Sequence, residues 1–266
     1  MTVRSFVALG DSFTEGLQDD PGPDGRHRGW ADRVAAGLAV VQGQVRYANL
    51  AVRGRLLDQV VADQLPMALR LAPDLVSFHA GANDVLRPRT DLPALLRRYE
   101  DAVGGLRSAG IRTLLFTVVE RTGRGRTADL LAARFGVFNA GIRAAAERHD
   151  ADLVDLAAVP VLSDRRLFHA DRLHLAPEGH ARVAAAVLEA LGVTDPHVTG
   201  GAPGWWQVGV PGDPATSRRA DLVSDVRWVG RHLLPWIGRR VRGVSSGDRV
   251  LAKHAELVDV LAPRSG

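Results

Sequence analysis

The chain has 266 residues, 46% of them hydrophobic, which is enough to bury a sizeable core in one α/β domain with an extension. It contains no cysteine, so disulfides, thiolate metal sites and cysteine nucleophiles are excluded. The formal net charge of +4 comes from 34 basic and 30 acidic residues that are mixed along the chain, and no basic stripe indicates nucleic-acid binding.

The amino terminus and the length of the apolar runs indicate in which cellular compartment the protein is expected. The chain enters a predicted core strand by about Arg4, which leaves no room for a signal peptide. No apolar stretch approaches the roughly 20 residues that are needed to cross a bilayer. We therefore expect a cytoplasmic protein.

Short apolar runs alternate with longer helical patterns through residue 192. Strands without polar alternation are predicted at 5–9, 45–50, 75–80, 113–118 and 153–156. Helices are predicted at 30–38, 57–71, 93–109, 128–149 and 176–191, and Pro66 should kink or break the second. This alternation predicts a doubly wound α/β domain over residues 1–192, with a central five-stranded parallel sheet.

Residues 193–266 differ in character from this domain. Glycine and proline punctuate the stretch 196–214, which also contains Trp205 and Trp206. Apolar residues then fall at helical spacing between Leu222 and Ile237, with arginines off that stripe, and predict a basic amphipathic helix. We expect this extension to pack on the first domain, and contact with a membrane surface or a partner is the alternative.

Three residues whose side chains could react together, Ser12, Asp171 and His174, lie after predicted strands. Ser12 follows the first strand in Gly10-Asp11-Ser12-Phe13, and Asp171 and His174 follow the fifth. The carboxyl ends of parallel strands meet at one edge of a sheet, so we expect these residues to converge there. A serine with a histidine base and an aspartate that orients it is a nucleophilic set for acyl transfer.

Two further blocks lie between these ends: Gly54 in Val52-Arg53-Gly54, and Asn83 in Gly81-Ala82-Asn83-Asp84. With them the chain resembles the SGNH hydrolases, also called the GDSL family of esterases and lipases, over roughly residues 4–192. The resemblance implies a flavodoxin-like three-layer α/β/α fold. It also implies that Ser12 is the nucleophile, His174 the base and Asp171 its orienter. The implied oxyanion hole consists of the backbone N–H groups of Ser12 and Gly54 and the amide of Asn83, with no metal or cofactor.

Two positions depart from the family pattern without removing a reacting atom. Phe13 stands where the GDSL motif has leucine, and Arg172 stands where the last block often has glycine. The other polar residues near the blocks have structural interpretations. Asp11 and Asp84 are expected to support or cap their turns. His79 is expected in a buried strand and His180 on the final helix. His169 is expected close to the site, where it is a weaker candidate for the base.

The resemblance implies hydrolysis of a small-molecule carboxylic ester, with a short or medium acyl group or an O-acetyl group. Two alternatives remain: acyl transfer to an alcohol from the same acyl-enzyme, and a non-catalytic binding protein on the same fold. Several arginines after strand ends are candidates for binding an anionic group or form a solvated surface: Arg53, Arg55, Arg87, Arg121, Arg124 and Arg126. The stretch 122–127 is a candidate lid. The sequence does not indicate the oligomeric state.

Overall fold

A computed structural model describes residues 2–22, 24–119, 125–212, 247 and 250–263. Its central sheet contains β1 (Ser5–Gly10), β2 (Gln44–Asn49), β3 (Leu75–His79), β4 (Arg112–Phe116), β5 (Asp152–Val154) and β6 (His254–Leu261). The spatial order is β5-β4-β3-β1-β2-β6. The first five strands are parallel, which confirms the flavodoxin-like arrangement, and β6 pairs antiparallel with β2.

Helices cover both faces of this sheet. They are α1 (Ser12–Glu15), α2 (Gly29–Gln42), α3 (Leu57–Gln59), α4 (Leu65–Leu71), α5 (Ala82–Val85), α6 (Leu92–Ser108), α7 (Arg126–Arg148), α8 (Pro177–Ala190) and α9 (Pro196–Thr199). One core cluster lies beneath α2 and α8, and a second lies beneath α6 and α7. Because β1 and β3 are covered on both sides, their residues are buried almost throughout, as the uninterrupted apolar runs predict.

Pro66 does not end the second predicted helix. A π-helical turn, Val60–Gln64, joins α3 to α4, and the N–H of Leu65 donates to the carbonyl of Val60, five residues earlier. Pro66 then occupies the first turn of α4, where its missing N–H leaves no helical hydrogen bond unmade. The hydrogen bonding therefore changes to the π-helical pattern just before the proline, and the chain stays helical through Leu71.

The sixth strand is a correction to the sequence prediction, which has five. β6 comes from the carboxy-terminal extension, and much of it is exposed at the edge of the sheet. Its run His254-Ala255-Glu256-Leu257-Val258 lacks clean alternation, so its strand conformation depends on the hydrogen bonds to β2 rather than on a local pattern.

The first part of the extension packs on α8. The indole of Trp206 donates to Glu189 at 2.9 Å, while the buried Arg182 lies 5.4 Å from the ring of Trp205. Arg182 also donates to the carbonyls of Trp206 and Val208. The predicted amphipathic helix at 222–237 and residues 122–124 of the candidate lid lie outside the described residues. The domain boundary after residue 192 remains a prediction.

Across the part of the chain that the structure describes, no helix combines the length and apolar character needed to cross a membrane.

Candidate active site

Ser12 begins α1, directly after β1 ends in a tight turn. A Cβ atom on Gly10 would lie 2.3 Å from the carbonyl oxygen of His79, so the backbones of β1 and β3 approach too closely here for any side chain. Asp11 caps α1, because its Oδ1 accepts a hydrogen bond from the N–H of Phe13 at 3.1 Å. The backbone is therefore held on both sides of Ser12.

His174 reaches Ser12 from the loop between β5 and α8. Its Nε2 lies 3.1 Å from the Ser12 Oγ, and its Nδ1 lies 2.8 Å from Oδ2 of Asp171. The second carboxylate oxygen of Asp171 accepts the backbone N–H groups of Leu173 and His174 at 2.9 and 3.0 Å. The structure thus brings the three predicted residues into one hydrogen-bonded chain across 162 positions of sequence.

The turn that presents His174 is closed by its own backbone. Phe168 and Leu175 form an isolated antiparallel bridge, and the N–H of His169 donates to the carbonyl of His174 at 2.9 Å. Arg172 at the tip has a φ of 56°, in the left-handed region that favours glycine. The family pattern often has glycine at this position. Arg172 adopts the left-handed backbone conformation that a glycine would adopt there, so the turn has the same shape although the residue differs.

The charge of Asp171 is set by its neighbours. Burial alone would raise its pKa, but the hydrogen bond and charge of His174 and the two backbone N–H groups hold the pKa well below its usual range. Asp171 is therefore an anion at neutral pH, suited to orient the His174 ring and to stabilise an imidazolium.

Asn83 lies on α5, just beyond β3. A Cβ on the preceding Gly81 would lie 2.6 Å from the ring of Phe138, which explains the glycine before the motif. The Asn83 Nδ2 donates to Oδ2 of Asp11 at 3.0 Å and to the carbonyl of Arg55 at 3.1 Å. Asn83 is therefore linked through the carboxylate of Asp11 to the turn that carries Ser12.

Gly54 lies in the loop between β2 and α3 with a φ of 75°, a conformation that glycine adopts without strain. Hydrogen bonds of its neighbours connect this loop to residues 10–15 around Ser12. The N–H of Val52 donates to the carbonyl of Gly10 at 3.2 Å, and the N–H of Arg53 donates to the buried Glu15 at 2.7 Å. After Gly54, the carbonyl of Arg55 accepts from Asn83. We call residues 51–56 the β2–α3 loop.

A cavity of about 110 Å³ opens beside Ser12 and His174. Much of its lining is apolar and comes from α1 and the turn after it, the end of α5, the segment after β4, α7 and the loop between β5 and α8: Phe13, Leu17, Leu86, Val118, Val119, Phe135, Leu156, Phe168, Leu173 and Leu175. Sequence reasoning missed these positions, since apolar residues in helices and loops carry no motif that separates a pocket wall from a core.

The three other histidines that the sequence analysis considered, His79, His169 and His180, occupy distinct surroundings. The ring of His79 packs on Phe13 at 4.3 Å between centroids, and its buried Nδ1 has no hydrogen-bond partner among the described residues. His169 is part-exposed, and its Nδ1 lies 3.7 Å from Asp171. His180 is buried in α8 and its Nε2 lies 3.2 Å from the carbonyl oxygen of Leu17. Among the described residues, His174 is therefore the histidine that is hydrogen-bonded to Ser12 Oγ.

The arginines considered for an anionic group differ in their partners. Arg53 pairs with Glu15 through its guanidinium as well as its backbone, so its charge is matched within the protein. Arg55 lies 3.6 Å from Asp63. Arg121 and Arg124 lie outside the described residues. Within the described ranges, no cluster of three or more His, Asp or Glu side chains is arranged to hold a metal ion.

A flavodoxin-like sheet with the serine, glycine, asparagine and histidine blocks at its carboxyl edge defines an SGNH hydrolase. Residues 8–182 match the model of the GDSL-like lipase/acylhydrolase family. The chain therefore belongs to this family, and it is an esterase of the GDSL type.

Solved structures with the same fold include several esterases. The acetylxylan esterase Axe2 from Geobacillus stearothermophilus is 20% identical with a TM-score of 0.61, over 72% of this chain and 97% of that chain. The lipase/acylhydrolase from Enterococcus faecalis is 22% identical with a TM-score of 0.58, over 71% and 95%. The psychrotrophic esterase EstA from Pseudoalteromonas sp. is 16% identical with a TM-score of 0.57, over 71% and 97%. At these identities the likeness establishes the fold. No curated protein matches the chain.

Proposed function

We propose that the protein hydrolyses small carboxylic esters through an acyl-enzyme formed on Ser12. The observation that carries this proposal is the hydrogen-bonded chain from Ser12 Oγ through His174 to Asp171, with distances of 3.1 and 2.8 Å. These distances lie within the reach that proton transfer requires. A serine hydroxyl is a weak nucleophile until such a base removes its proton.

In the proposed acylation step, Ser12 Oγ attacks the ester carbonyl carbon while its proton moves to Nε2 of His174. The anionic Asp171 stabilises the imidazolium that forms. The tetrahedral intermediate collapses, the bond to the alcohol oxygen breaks, and His174 returns the proton to that oxygen. Water then attacks the acyl group on Ser12 with the same histidine as base, and the acid is released.

The negative oxygen of the tetrahedral intermediate needs N–H donors close to Ser12. We assign this role to the backbone N–H groups of Ser12 and Gly54 and to the amide of Asn83. Nδ2 of Asn83 already has two acceptors, Asp11 and the carbonyl of Arg55. Donation to the oxyanion therefore requires that one of these hydrogen bonds is shared or exchanged when substrate binds.

The size of the cavity supports a short acyl group. An apolar protein cavity of about 150 Å³ accommodates one benzene molecule, which has six carbon atoms. By that measure the cavity of about 110 Å³ holds a group of roughly four carbons. We therefore propose acetyl to butanoyl esters as the preferred substrates, including O-acetyl groups on larger alcohols that extend into solvent.

The first experiment is steady-state hydrolysis of p-nitrophenyl esters from acetate to palmitate, with wild type and Ser12→Ala. The proposal expects the highest kcat/KM at two to four acyl carbons and loss of turnover in the variant. Undiminished turnover in folded Ser12→Ala contradicts the acyl-serine mechanism. Product analysis with added alcohols separates hydrolysis from transfer, because a transferase diverts the acyl group to the alcohol.

A further inference from the structure

Gln64 is a buried polar residue at the end of the π-helical turn Val60–Gln64. It is 4% exposed, and it shares the buried side of this turn with Val60. A single π-helical turn within a helix is uncommon and is often found at a functional site. A buried amide needs hydrogen-bond partners for both its oxygen and its nitrogen, so the partners of Gln64 show what the turn holds in place.

Both partners of the Gln64 amide belong to one residue, Gly10 at the end of β1. The N–H of Gly10 donates to Oε1 of Gln64 at 2.8 Å, and Nε2 of Gln64 donates to the carbonyl of Gly10 at 2.9 Å. Both lengths are those of ordinary hydrogen bonds. A backbone N–H only donates and a backbone carbonyl only accepts, so the orientation of the amide is fixed. One side chain therefore holds both polar backbone groups of Gly10.

Gly10 lies where the sheet no longer holds β1 on the β2 side. The register of β1 with β2 ends at the pair Ala8 and Asn49, two residues before Gly10. Beyond it the N–H of Val52, in the β2–α3 loop, donates to the Gly10 carbonyl at 3.2 Å, while the Gly10 N–H donates to Gln64. Glycine has more backbone freedom than any other residue, so these bonds from outside the turn restrict the conformation of Gly10.

The restricted peptide leads directly to the candidate catalytic serine. The Gly10 carbonyl that Gln64 binds belongs to the peptide between Gly10 and Asp11, and Ser12 follows. A rotation of this peptide would move the start of α1 and with it the Ser12 Oγ, which lies 3.1 Å from Nε2 of His174. Proton transfer between these two atoms requires a distance of this length.

We infer that Gln64 is a positioning residue for the proposed nucleophile: its amide sets the orientation of the Gly10–Asp11 peptide and so the position of Ser12 relative to His174. This inference rests on the proposed function. Gln64 lies outside the four family blocks, between the glycine block at Gly54 and the asparagine block at Asn83. The π-helical turn before Pro66 thereby has a role in the active site.

The chain offers a matched control at the other end of β1. The N–H of Val3 donates to Oε1 of Gln42 at 2.9 Å, and Nε2 of Gln42 donates to the carbonyl of Val3 at 3.1 Å. The same amide chemistry thus holds the backbone before β1, at the edge of the sheet opposite to Ser12. Loss of this second pair of bonds reports the structural cost alone.

The test compares Gln64→Met with Gln42→Met, since each change removes two hydrogen bonds and nearly conserves the side-chain volume. Both variants should have a lower unfolding temperature than wild type. Gln64→Met is expected to lower kcat on p-nitrophenyl butyrate by about 10- to 10²-fold with KM nearly unchanged, because misplacement of a reacting group lowers the rate of the chemical step. Gln42→Met should keep the wild-type kcat. Wild-type kcat in folded Gln64→Met, or an equal loss of kcat in Gln42→Met, overturns the inference.

Gln64→Glu gives a second readout, which also serves if Gln64→Met does not fold. A protonated carboxyl has one acceptor oxygen and one O–H donor, as the amide pair requires, whereas a carboxylate has no donor for the Gly10 carbonyl. Burial raises the pKa of the introduced carboxyl. The kcat of this variant divided by the wild-type kcat at the same pH should therefore fall as pH rises. The division cancels the titration of His174, and circular dichroism restricts the comparison to folded protein. A ratio that does not change with pH overturns the inference.

Ser12→Ala separates the inference from the proposed function. If this variant keeps the wild-type rate, the proposed function fails and the inference fails with it. If it is inactive while folded Gln64→Met has the wild-type kcat, the inference alone fails.

Discussion

The side-chain amide of Asn83 donates to Oδ2 of Asp11 at 3.0 Å, across 72 positions of sequence. The other oxygen of the same carboxylate accepts the N–H of Phe13, the residue after Ser12. One buried carboxylate therefore sets the distance between the proposed oxyanion donor and the proposed nucleophile. Asp11 acts as a link between two parts of the site, a role that extends beyond capping its own turn.

Replacing Asp11 by asparagine tests this link. An asparagine has a single acceptor oxygen, so it cannot hold the Phe13 N–H and the Asn83 amide together. We expect kcat to fall by about tenfold with KM nearly unchanged, less than the roughly 10²- to 10³-fold loss expected for Asn83→Ala. Steady-state kinetics on p-nitrophenyl butyrate measures both. Asp74→Asn serves as control, because this carboxylate accepts the N–H groups of Arg4 and Ser5 at the opposite edge of the sheet. A wild-type kcat in Asp11→Asn would show that Asn83 needs no such support.

Asp171→Asn tests the orientation of His174. The amide nitrogen can donate to Nδ1 and stabilise the tautomer whose Nε2 carries a proton and cannot accept one from Ser12. We expect kcat to fall by about 10²- to 10⁴-fold. His169→Gln is the informative comparison, since His169 lies 3.7 Å from the same carboxylate without a hydrogen bond to Ser12. If His169→Gln is the more damaging change, the assignment of the base to His174 is wrong.

Phe135→Ala tests whether the cavity limits acyl length. Phe135 of α7 lines the cavity, so its removal adds space beside the acyl site. We expect the optimum of the p-nitrophenyl ester series to move to longer chains, with hexanoate or octanoate gaining relative to acetate. Val137→Ala on the same helix is the control, because Val137 is 53% exposed. An unchanged profile in Phe135→Ala would place the acyl group elsewhere.

His180 should make the fold sensitive to mild acid. Burial lowers the pKa of His180 to about 4 in the folded protein. An unfolded histidine titrates near 6.5, so the unfolded state binds the proton first and stability falls as pH drops from about 6.5 through about 4. The full effect is about 3 kcal/mol.

His180→Gln keeps a side-chain N–H donor for the carbonyl of Leu17 and cannot titrate. Urea unfolding at pH 7 and pH 4.5 should show a smaller loss of unfolding free energy in this variant than in wild type. Burial raises the pKa of Asp32 to about 6, and that group acts in the opposite sense as pH falls. Asp32 is present in both proteins, so its effect cancels in the comparison. Equal acid sensitivity of the two proteins would contradict the prediction.

The sequence by itself determined the five parallel strands and the edge at which the reactive residues meet. Buried parallel strands need continuous apolar runs, and such runs are visible without a structure. Ser12, Gly54 and Asn83 each follow a strand, and Asp171 is three residues from His174. Local spacing and strand direction therefore suffice to predict their convergence.

Tertiary structure alone decided the partners that those residues share. β6 became a strand because β2 offered an edge to pair with, although its own sequence has no clean alternation. The bonds between Asn83 and Asp11 and between Gln64 and Gly10 join segments that are far apart in the chain, and no local pattern encodes them. The cavity volume depends on how apolar side chains from separate elements pack, and packing of this kind has no sequence period.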